Sequence, residues 1–277
     1  MVSIDVKKAC DLVDEKAAGE NHARIYFSSN ESLKDLFQHF SVKDKEVLSV
    51  MASSDQYFYS YYNGAKNVDT FDINVLTKYY YYLRYWSILY NNQFYPDKTI
   101  FQSHQYIYDL LQKVKCESLE ERHAYRFWSE FIRKAFPFDC GNLYYYGVRE
   151  NPIVDLKTLK EQIRGKDISF THLDLFEEVP KKKKYDIIIT SNILEYAGYD
   201  KLRLIKARNN LKSMLNENGK VISSHYFHQR YDSFFAMERE IFHQTFDYVE
   251  FPYAYDFNTR KNYPIGYSYT LKDVNKK

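Results

Sequence analysis

The stretch from Val47 to Asn74, VLSVMASSDQYFYSYYNGAKNVDTFDIN, constrains the fold more than any other part of this chain. It opens with the apolar run Val47, Leu48, Val50 and Met51 and passes through a small, polar turn from Ala52 to Asp55. An aromatic segment of helical length follows, then Gly64 and a second apolar run that stops at Asp72. Strand, turn, helix, and a strand ending in a carboxylate make the unit from which open parallel α/β sheets are built, and ligands in such sheets sit outside the carboxyl ends of the strands. An acid about 20 residues after the first turn is the one that holds ribose hydroxyls. Ala52 to Asp72 is 72 − 52 = 20 positions.

The rest of the chain extends this pattern. Residues 1–24 read as an amphipathic helix with Val6, Ala9, Cys10, Val13 and Ala17 on one face, and Glu31 to Phe40 as a second helix capped by Ser29 or Asn30. Together, 1–46 form an N-terminal helical or lid element ahead of a main domain at 47–277. Val75 to Tyr90 is a crossover helix that Asn91 to Pro96 breaks. Within a mainly helical insertion at about 92–165, Asp97 to Lys115 is helical, and Ser118 with Glu121 forms a capping box for a helix that Pro137 ends. The α/β pattern then resumes. A helix from Asp155 to Ile163 is closed by Gly165, and strands follow at Ile168 to Leu173 and Tyr185 to Thr190. After a helix from Leu202 to Leu215 stopped by Asn218 and Gly219, a strand runs from Val221 to Ser224. Tyr248 to Tyr253 and Ile265 to Leu271 read as a closing antiparallel pair.

Composition excludes several classes. With 39 basic and 37 acidic side chains the 277-residue chain has a formal charge of +2, so no global field draws it to nucleic acid. Cys10, Cys116 and Cys140 are odd in number, far apart and without a C-x-x-C pair, which argues against a disulfide framework and a zinc site; no metal is expected. The first ten residues, MVSIDVKKAC, lack the apolar core of a secretory signal, and the best candidate for a membrane span, Tyr79 to Tyr90, is interrupted by Arg84. A soluble, cytoplasmic protein is expected. The 29 tyrosines occur in every segment, which reads as compositional bias and not as a stacking surface.

The order of VLSVMASSDQ, VDTFDIN, HLDLF, YDIIITSNILEY and LNENGKVIS resembles the class I S-adenosylmethionine-dependent methyltransferases over roughly residues 30–275. Within that superfamily, VLSVMASSDQ, VDTFDIN and TSNILEYAG look most like the domain-of-unknown-function branch that contains the 3-amino-3-carboxypropyl transferases of betaine-lipid synthesis. Members of that branch read S-x-G-D-N where this chain has Ser53, Ser54, Asp55 and Gln56. The resemblance implies a Rossmann-like α/β fold, a mostly parallel seven-stranded sheet with helices on both faces, carrying the helical insertion. It implies S-adenosyl-L-methionine as cofactor and a transferase activity. Methyl transfer to a small-molecule or lipid-like acceptor is the first reading, 3-amino-3-carboxypropyl transfer the second, and a non-catalytic binding or scaffold relative the third.

Carried over by residue, the turn Ala52, Ser53, Ser54, Asp55 and Gln56 would hold the methionine part of the cofactor, with backbone N–H groups at the helix start facing its carboxylate. Asp72 would accept from both ribose hydroxyls, Ile73 and Asn74 would line the adenine or ribose edge, and Asp174 would read the adenine amino group. Ser191 and Asn192 would face the transferred group, with Glu195 behind them. His225, with His228, is the candidate general base after the Val221 to Ser224 strand. His104 and His123 on the insertion are weaker candidates. Lys181 to Lys184 is read as a solvated loop, with a phosphate-bearing ligand or a lipid head-group as its alternative partner. The departure from the superfamily is the turn itself, which has no G-x-G. Side chains there limit how closely the backbone can approach a ligand.

Overall fold

Apolar runs bounded by turn residues become strands in this chain, and aromatic runs become buried helices. The computed structural model describes residues 25–26, 29, 31, 33–95, 104–134, 144–145, 153–177, 183–224, 232–251 and 266–271. In chain order the elements are β1 (Ile25–Tyr26), α1 (Leu33–His39), β2 (Glu46–Val50), α2 (Asp55–Tyr62), β3 (Asn67–Asp72), α3 (Leu76–Trp86), α4 (His104–Leu111) and α5 (Leu119–Lys134). There follow β4 (Tyr144–Tyr145), α6 (Leu156–Ile163), β5 (Ser169–His172), β6 (Tyr185–Ser191), α7 (Lys201–Met214), β7 (Leu215–Ser224), α8 (Asp232–His243), β8 (Phe246–Phe251) and β9 (Gly266–Leu271). A π turn (Ser87–Asn91) continues α3, and a 3₁₀ turn (Ile193–Ala197) follows β6. The N-terminal segment 1–24 and Pro137 lie outside the described residues. Among the described residues no helix is long and apolar enough to cross a membrane.

The chain alternates between two compact units. One comprises Met1–Asn30, Met51–Tyr62 and Asp72–His172, the other Glu31–Val50, Asn63–Phe71 and Leu173–Lys277. The second unit is a Rossmann-like α/β sheet, with strands in the order β3, β2, β6, β7, β9, β8. β2 runs parallel to both β3 and β6, with Leu48 opposite Asp69 and Ile188, and β6 runs parallel to β7, with Ile188 opposite Val221. β9 is antiparallel to β7 and to β8. Val47, Leu48, Ile187, Ile188, Ile189, Val221 and Ile222 are all buried, as expected for parallel strands covered on both faces, whose apolar residues run on instead of alternating.

Two expectations change here. The helix expected at Leu202 to Leu215 is Lys201–Met214, capped by Asp200 through the N–H groups of Leu202 and Arg203, and the next strand begins at Leu215 instead of Val221. Asn218 and Gly219 are therefore not a helix stop but part of an irregularity inside β7, where the register jumps from Tyr185 opposite Leu215 to Ile187 opposite Lys220. Asn218 has a φ of 62°, and a Cβ on Gly219 would meet the Asn216 carbonyl at 2.9 Å, so the bulge needs that glycine. The helix Asp232–His243 was not foreseen.

The first unit is helical. α2 packs against α6, and α3 and α4 pack against α5. Trp128 Nε1 donates to the Tyr79 carbonyl at 2.9 Å, and the rings of Tyr79 and Phe127 stack 4.1 Å apart. The capping box forms as expected: Glu121 N–H donates to Ser118 Oγ and Ser118 N–H to Glu121 Oε2, both at 3.2 Å.

Candidate functional site

The turn that follows β2 is built on a backbone conformation its residues do not favour. Ser54 N–H donates to the Met51 carbonyl at 2.5 Å, closing the chain over Ala52 and Ser53. Ala52 has a φ of 40° and Ser54 a φ of 68°. Both lie in the left-handed region, where an L side chain costs about 1–2 kcal/mol and glycine costs almost nothing. These are the first and third residues of the triplet that replaces G-x-G, so the glycine conformation is kept without the glycines.

Asp72 closes the turn from the end of β3. Its Oδ2 accepts from Ala52 N–H and its Oδ1 from Asn74 N–H, each at 2.9 Å. The 20-position spacing is thus a direct contact. Burial raises the Asp72 carboxyl from its ordinary value to about 6, although the N–H groups of Asn74, Ala52 and Ile73 and the Thr77 side chain pull it back down. The residue is half-buried, so part of it reaches the surface. Ile73 beside it is 37% exposed, an apolar side chain left on show next to a carboxylate. The Ile73 carbonyl lies 2.8 Å from Nε2 of the exposed His172, the first residue of HLDLF, to which the sequence gave no role of its own. Asn74 braces the start of α3 from the residue before its N-cap Val75: its Oδ1 accepts from Leu76 N–H at 3.0 Å, and its carbonyl from the Thr77 hydroxyl at 2.7 Å.

Ser53, Ser54, Asp55 and Gln56 are wholly or almost wholly buried. Asp55 acts on the turn itself. Its Oδ1 takes Arg84 Nη2 at 2.8 Å, while its Oδ2 accepts from Tyr95 Oη at 2.8 Å, Ser53 Oγ at 3.0 Å and Ser29 N–H at 2.5 Å. Gln56 Nε2 donates to Ser29 Oγ at 3.3 Å. Ser54 differs from its neighbours, because its buried hydroxyl has no hydrogen-bond partner among the described residues. A buried hydroxyl without a partner costs about 1–3 kcal/mol, which a ligand accepting its proton would recover.

Arg84, Tyr95 and Ser29 hold Asp55, and His172 meets the Ile73 carbonyl; sequence reasoning assigned none of the four to this site. A signal for Arg84 was present: α3 is an aromatic helix with all residues but Lys78 buried, and an arginine on such a helix requires an anion.

The second unit holds the other candidates. Asp174 Oδ1 accepts from Phe176 N–H at 2.9 Å, which makes it the cap of its own half-buried turn. Ser191, the last residue of β6, has a φ of 53°, and its carbonyl accepts from Ser223 Oγ at 3.1 Å. Asn192 begins the 3₁₀ turn, yet its side chain makes no capping bond. Glu195 is half-buried on that turn, whose last peptides are held by Arg203: Nη1 reaches the Tyr196 carbonyl at 2.9 Å, and the guanidinium lies 4.2 Å from the Phe176 ring centroid. His225 and His228 lie outside the described residues. Lys183, from the basic run, bridges Asp69 at 2.7 Å and Glu46 at 3.3 Å.

Among solved structures, the chain is similar to a glycopeptide N-methyltransferase, MtfA, in complex with S-adenosyl-L-homocysteine, at 9% identity over 94% of this chain and 96% of that one, with a TM-score of 0.46. It is similar to the N-methyltransferase NodS from Bradyrhizobium japonicum WM9, also in complex with S-adenosyl-L-homocysteine, at 9% identity over 96% and 98% of the two chains, with a TM-score of 0.43. A TehB-like S-adenosylmethionine-dependent methyltransferase from Corynebacterium glutamicum matches at 11% identity over 96% and 98%, with a TM-score of 0.39. No protein-family model matches the chain, and no curated protein matches it.

Proposed function

We propose that the protein is an S-adenosylmethionine-dependent transferase whose cofactor is held by the Met51–Gln56 turn and Asp72. One observation carries the reading: Ala52 and Ser54 keep the left-handed conformation of a G-x-G turn, in a turn that Asp72 closes from 20 positions away. The partnerless Ser54 hydroxyl supports the fit, since the amino-carboxylate end of the cofactor supplies the acceptor it lacks. The ionised Asp72 accepts from ribose hydroxyls, Ile73 gives the adenine an apolar neighbour, and the N–H groups at the start of α2 favour a negative group.

Bound there, the sulfonium of S-adenosylmethionine supplies an electrophilic carbon. The chain's own task is to orient a nucleophile and exclude water, which needs little side-chain chemistry. The roles of Asp174 with the adenine amino group, of Ser191 and Asn192 facing the transferred group and of Glu195 behind them are carried by the sequence resemblance, and that of His225 as base by its place after the Val221 to Ser224 segment. So are methyl transfer to a small-molecule or lipid-like acceptor and its alternative, aminocarboxypropyl transfer. Calorimetry with S-adenosylmethionine and S-adenosylhomocysteine tests the cofactor: no heat and no thermal shift at millimolar ligand would overturn it in favour of a non-catalytic relative. The by-product tests the reaction, S-adenosylhomocysteine reporting methyl transfer and methylthioadenosine the alternative.

A further inference from the structure

The feature of the first unit that the proposed function leaves unexplained is the surroundings of Arg84. The side chain is 0% exposed. Its Nε donates to the Phe94 carbonyl at 3.1 Å, its Nη1 to the Ser53 carbonyl at 2.9 Å, and its Nη2 to Asp55 Oδ1 at 2.8 Å. Aromatic rings enclose it, with centroids at 4.5 Å for Tyr95, 4.8 Å for Phe94 and 5.4 Å for Phe58. The chain reaches these positions through the π turn Ser87–Asn91, which ends on Asn92 at a φ of 57° and is followed by Phe94 and Tyr95. Irregular turns of this kind inside helices recur at functional sites. Burial is the largest influence on Arg84 and opposes its charge, but Asp55, Tyr80 and Tyr95 together outweigh it and hold the guanidinium protonated.

The peptide between Ser53 and Ser54 is pinned at both ends: its carbonyl by Arg84 and its N–H by the Met51 carbonyl. The peptide between Met51 and Ala52 is pinned by Asp72. These two planes bracket Ala52, and the peptide between Ser54 and Asp55, whose carbonyl accepts from Phe58 N–H at 3.1 Å, brackets Ser54 from the other side, so neither residue relaxes freely into the right-handed region. A lysine could not replace this fork, because one ammonium cannot address a carbonyl, a carboxylate and a second carbonyl in three fixed directions.

We propose that Arg84 is the positioning residue of the cofactor turn, holding Ala52 and Ser54, through the Ser53 carbonyl and Asp55, in the conformation that glycine would otherwise supply. The cofactor half of this statement rests on the proposed function; the clamp on the turn does not. Hydrogen exchange on the ligand-free protein therefore reads the clamp, and calorimetry with S-adenosylhomocysteine reads its consequence. In Arg84→Lys the amides of Ala52 and Ser54 exchange at least tenfold faster than in wild type, whereas those of Leu48 and Ile188 in the sheet are unchanged. Affinity for S-adenosylhomocysteine falls at least tenfold, and adding Ala52→Gly with Ser54→Gly to Arg84→Lys recovers most of that loss. Unchanged exchange at the turn in a folded Arg84→Lys overturns the clamp. Faster exchange everywhere, or no recovery by the glycines, overturns the positioning role and leaves Arg84 a general stabiliser. Wild-type protein that fails to bind S-adenosylhomocysteine removes the cofactor reading, while the exchange result still decides the clamp. If Arg84→Lys does not fold, Tyr95→Phe deletes one hydrogen bond to Asp55 and carries the same test: two- to threefold faster exchange confined to the turn supports the clamp, and none overturns it.

Discussion

Among the described residues, two turns follow a parallel strand and carry a non-glycine residue at positive φ, yet they are supported very differently. The turn after β2 bends at Ala52 and Ser54 and is buried, tied by the Arg84–Asp55 ion pair, by Asp72 and by Tyr95. The turn after β6 bends at Ser191 and is half-buried, its carbonyl held by the Ser223 hydroxyl and Asn192 making no cap. Strain at the first is locked in by long-range partners, as suits a site that must present a fixed backbone to a ligand. At the second, Asn192 makes no capping bond on a half-buried turn, which suits its proposed role of facing the transferred group. If this contrast is right, substitutions should reach the first turn through stability and binding together, and the second mainly through turnover.

The largest expected effect comes from breaking the lock. Arg84→Met leaves Asp55 buried without its counter-ion and lowers stability by about 3–5 kcal/mol in urea unfolding, while Asp55→Asn with Arg84→Met loses much less. At the second turn, Ser223→Ala removes one neutral hydrogen bond and costs about 1 kcal/mol. Equal losses at the two turns would sink the comparison.

Next is binding. Asp72→Ala removes the acceptor for Ala52 N–H and for ribose, and reduces S-adenosylhomocysteine affinity at least tenfold, about 1.4 kcal/mol, in calorimetry. Asn192→Ala, on the same assay, changes affinity less than threefold and lowers turnover instead. A wild-type dissociation constant for Asp72→Ala would show that the ribose assignment is wrong.

How much of this was legible in the sequence follows from which interactions are local. YDIIIT and VLSV announce buried parallel strands because apolar, β-branched runs of that length have few other uses, and Ser118 with Glu121 announces a helix start because both partners lie within one turn. The spacing of Ala52 and Asp72 marked both residues as cofactor ligands but not their hydrogen bond to each other, which one strand-helix-strand unit brings about. The role of Asp55 was not legible: its partners Ser29, Arg84 and Tyr95 lie 26, 29 and 40 residues away, and no local pattern encodes them. The missing glycines were visible, but that the backbone keeps their conformation was not, because tertiary contacts impose it.

The carboxyl of Asp72 gives the comparison a pH signature. Its folded value of about 6 exceeds the ordinary 3.8, so the folded state binds this proton more tightly than the unfolded state does. The stability this contributes is present below about pH 4 and is lost as pH rises through about 6, a change of roughly 2–3 kcal/mol at most. Cofactor capture runs the other way, because the ionised form accepts from the hydroxyls. Affinity for S-adenosylhomocysteine is therefore expected to fall as pH drops below 6, by up to about tenfold per unit, and to flatten in Asp72→Asn. A wild-type profile that is flat from pH 5 to 8 would place the ligand away from Asp72.

The smallest effect is the most direct reading of stored strain. Ala52→Gly relieves a left-handed cost of about 1–2 kcal/mol and adds back about 0.5–1 kcal/mol of unfolded-chain entropy, for a net gain of roughly 0.5 kcal/mol in urea unfolding. Ser191→Gly relieves the same strain at the second turn, so its stability gain should match. The two should separate in ligand affinity. Because Asp72 and Arg84 already fix the first turn, Ala52→Gly leaves S-adenosylhomocysteine binding within about twofold of wild type. A large loss of affinity in Ala52→Gly would mean that the Ala52 methyl group, and not the conformation it is forced into, is what the ligand meets.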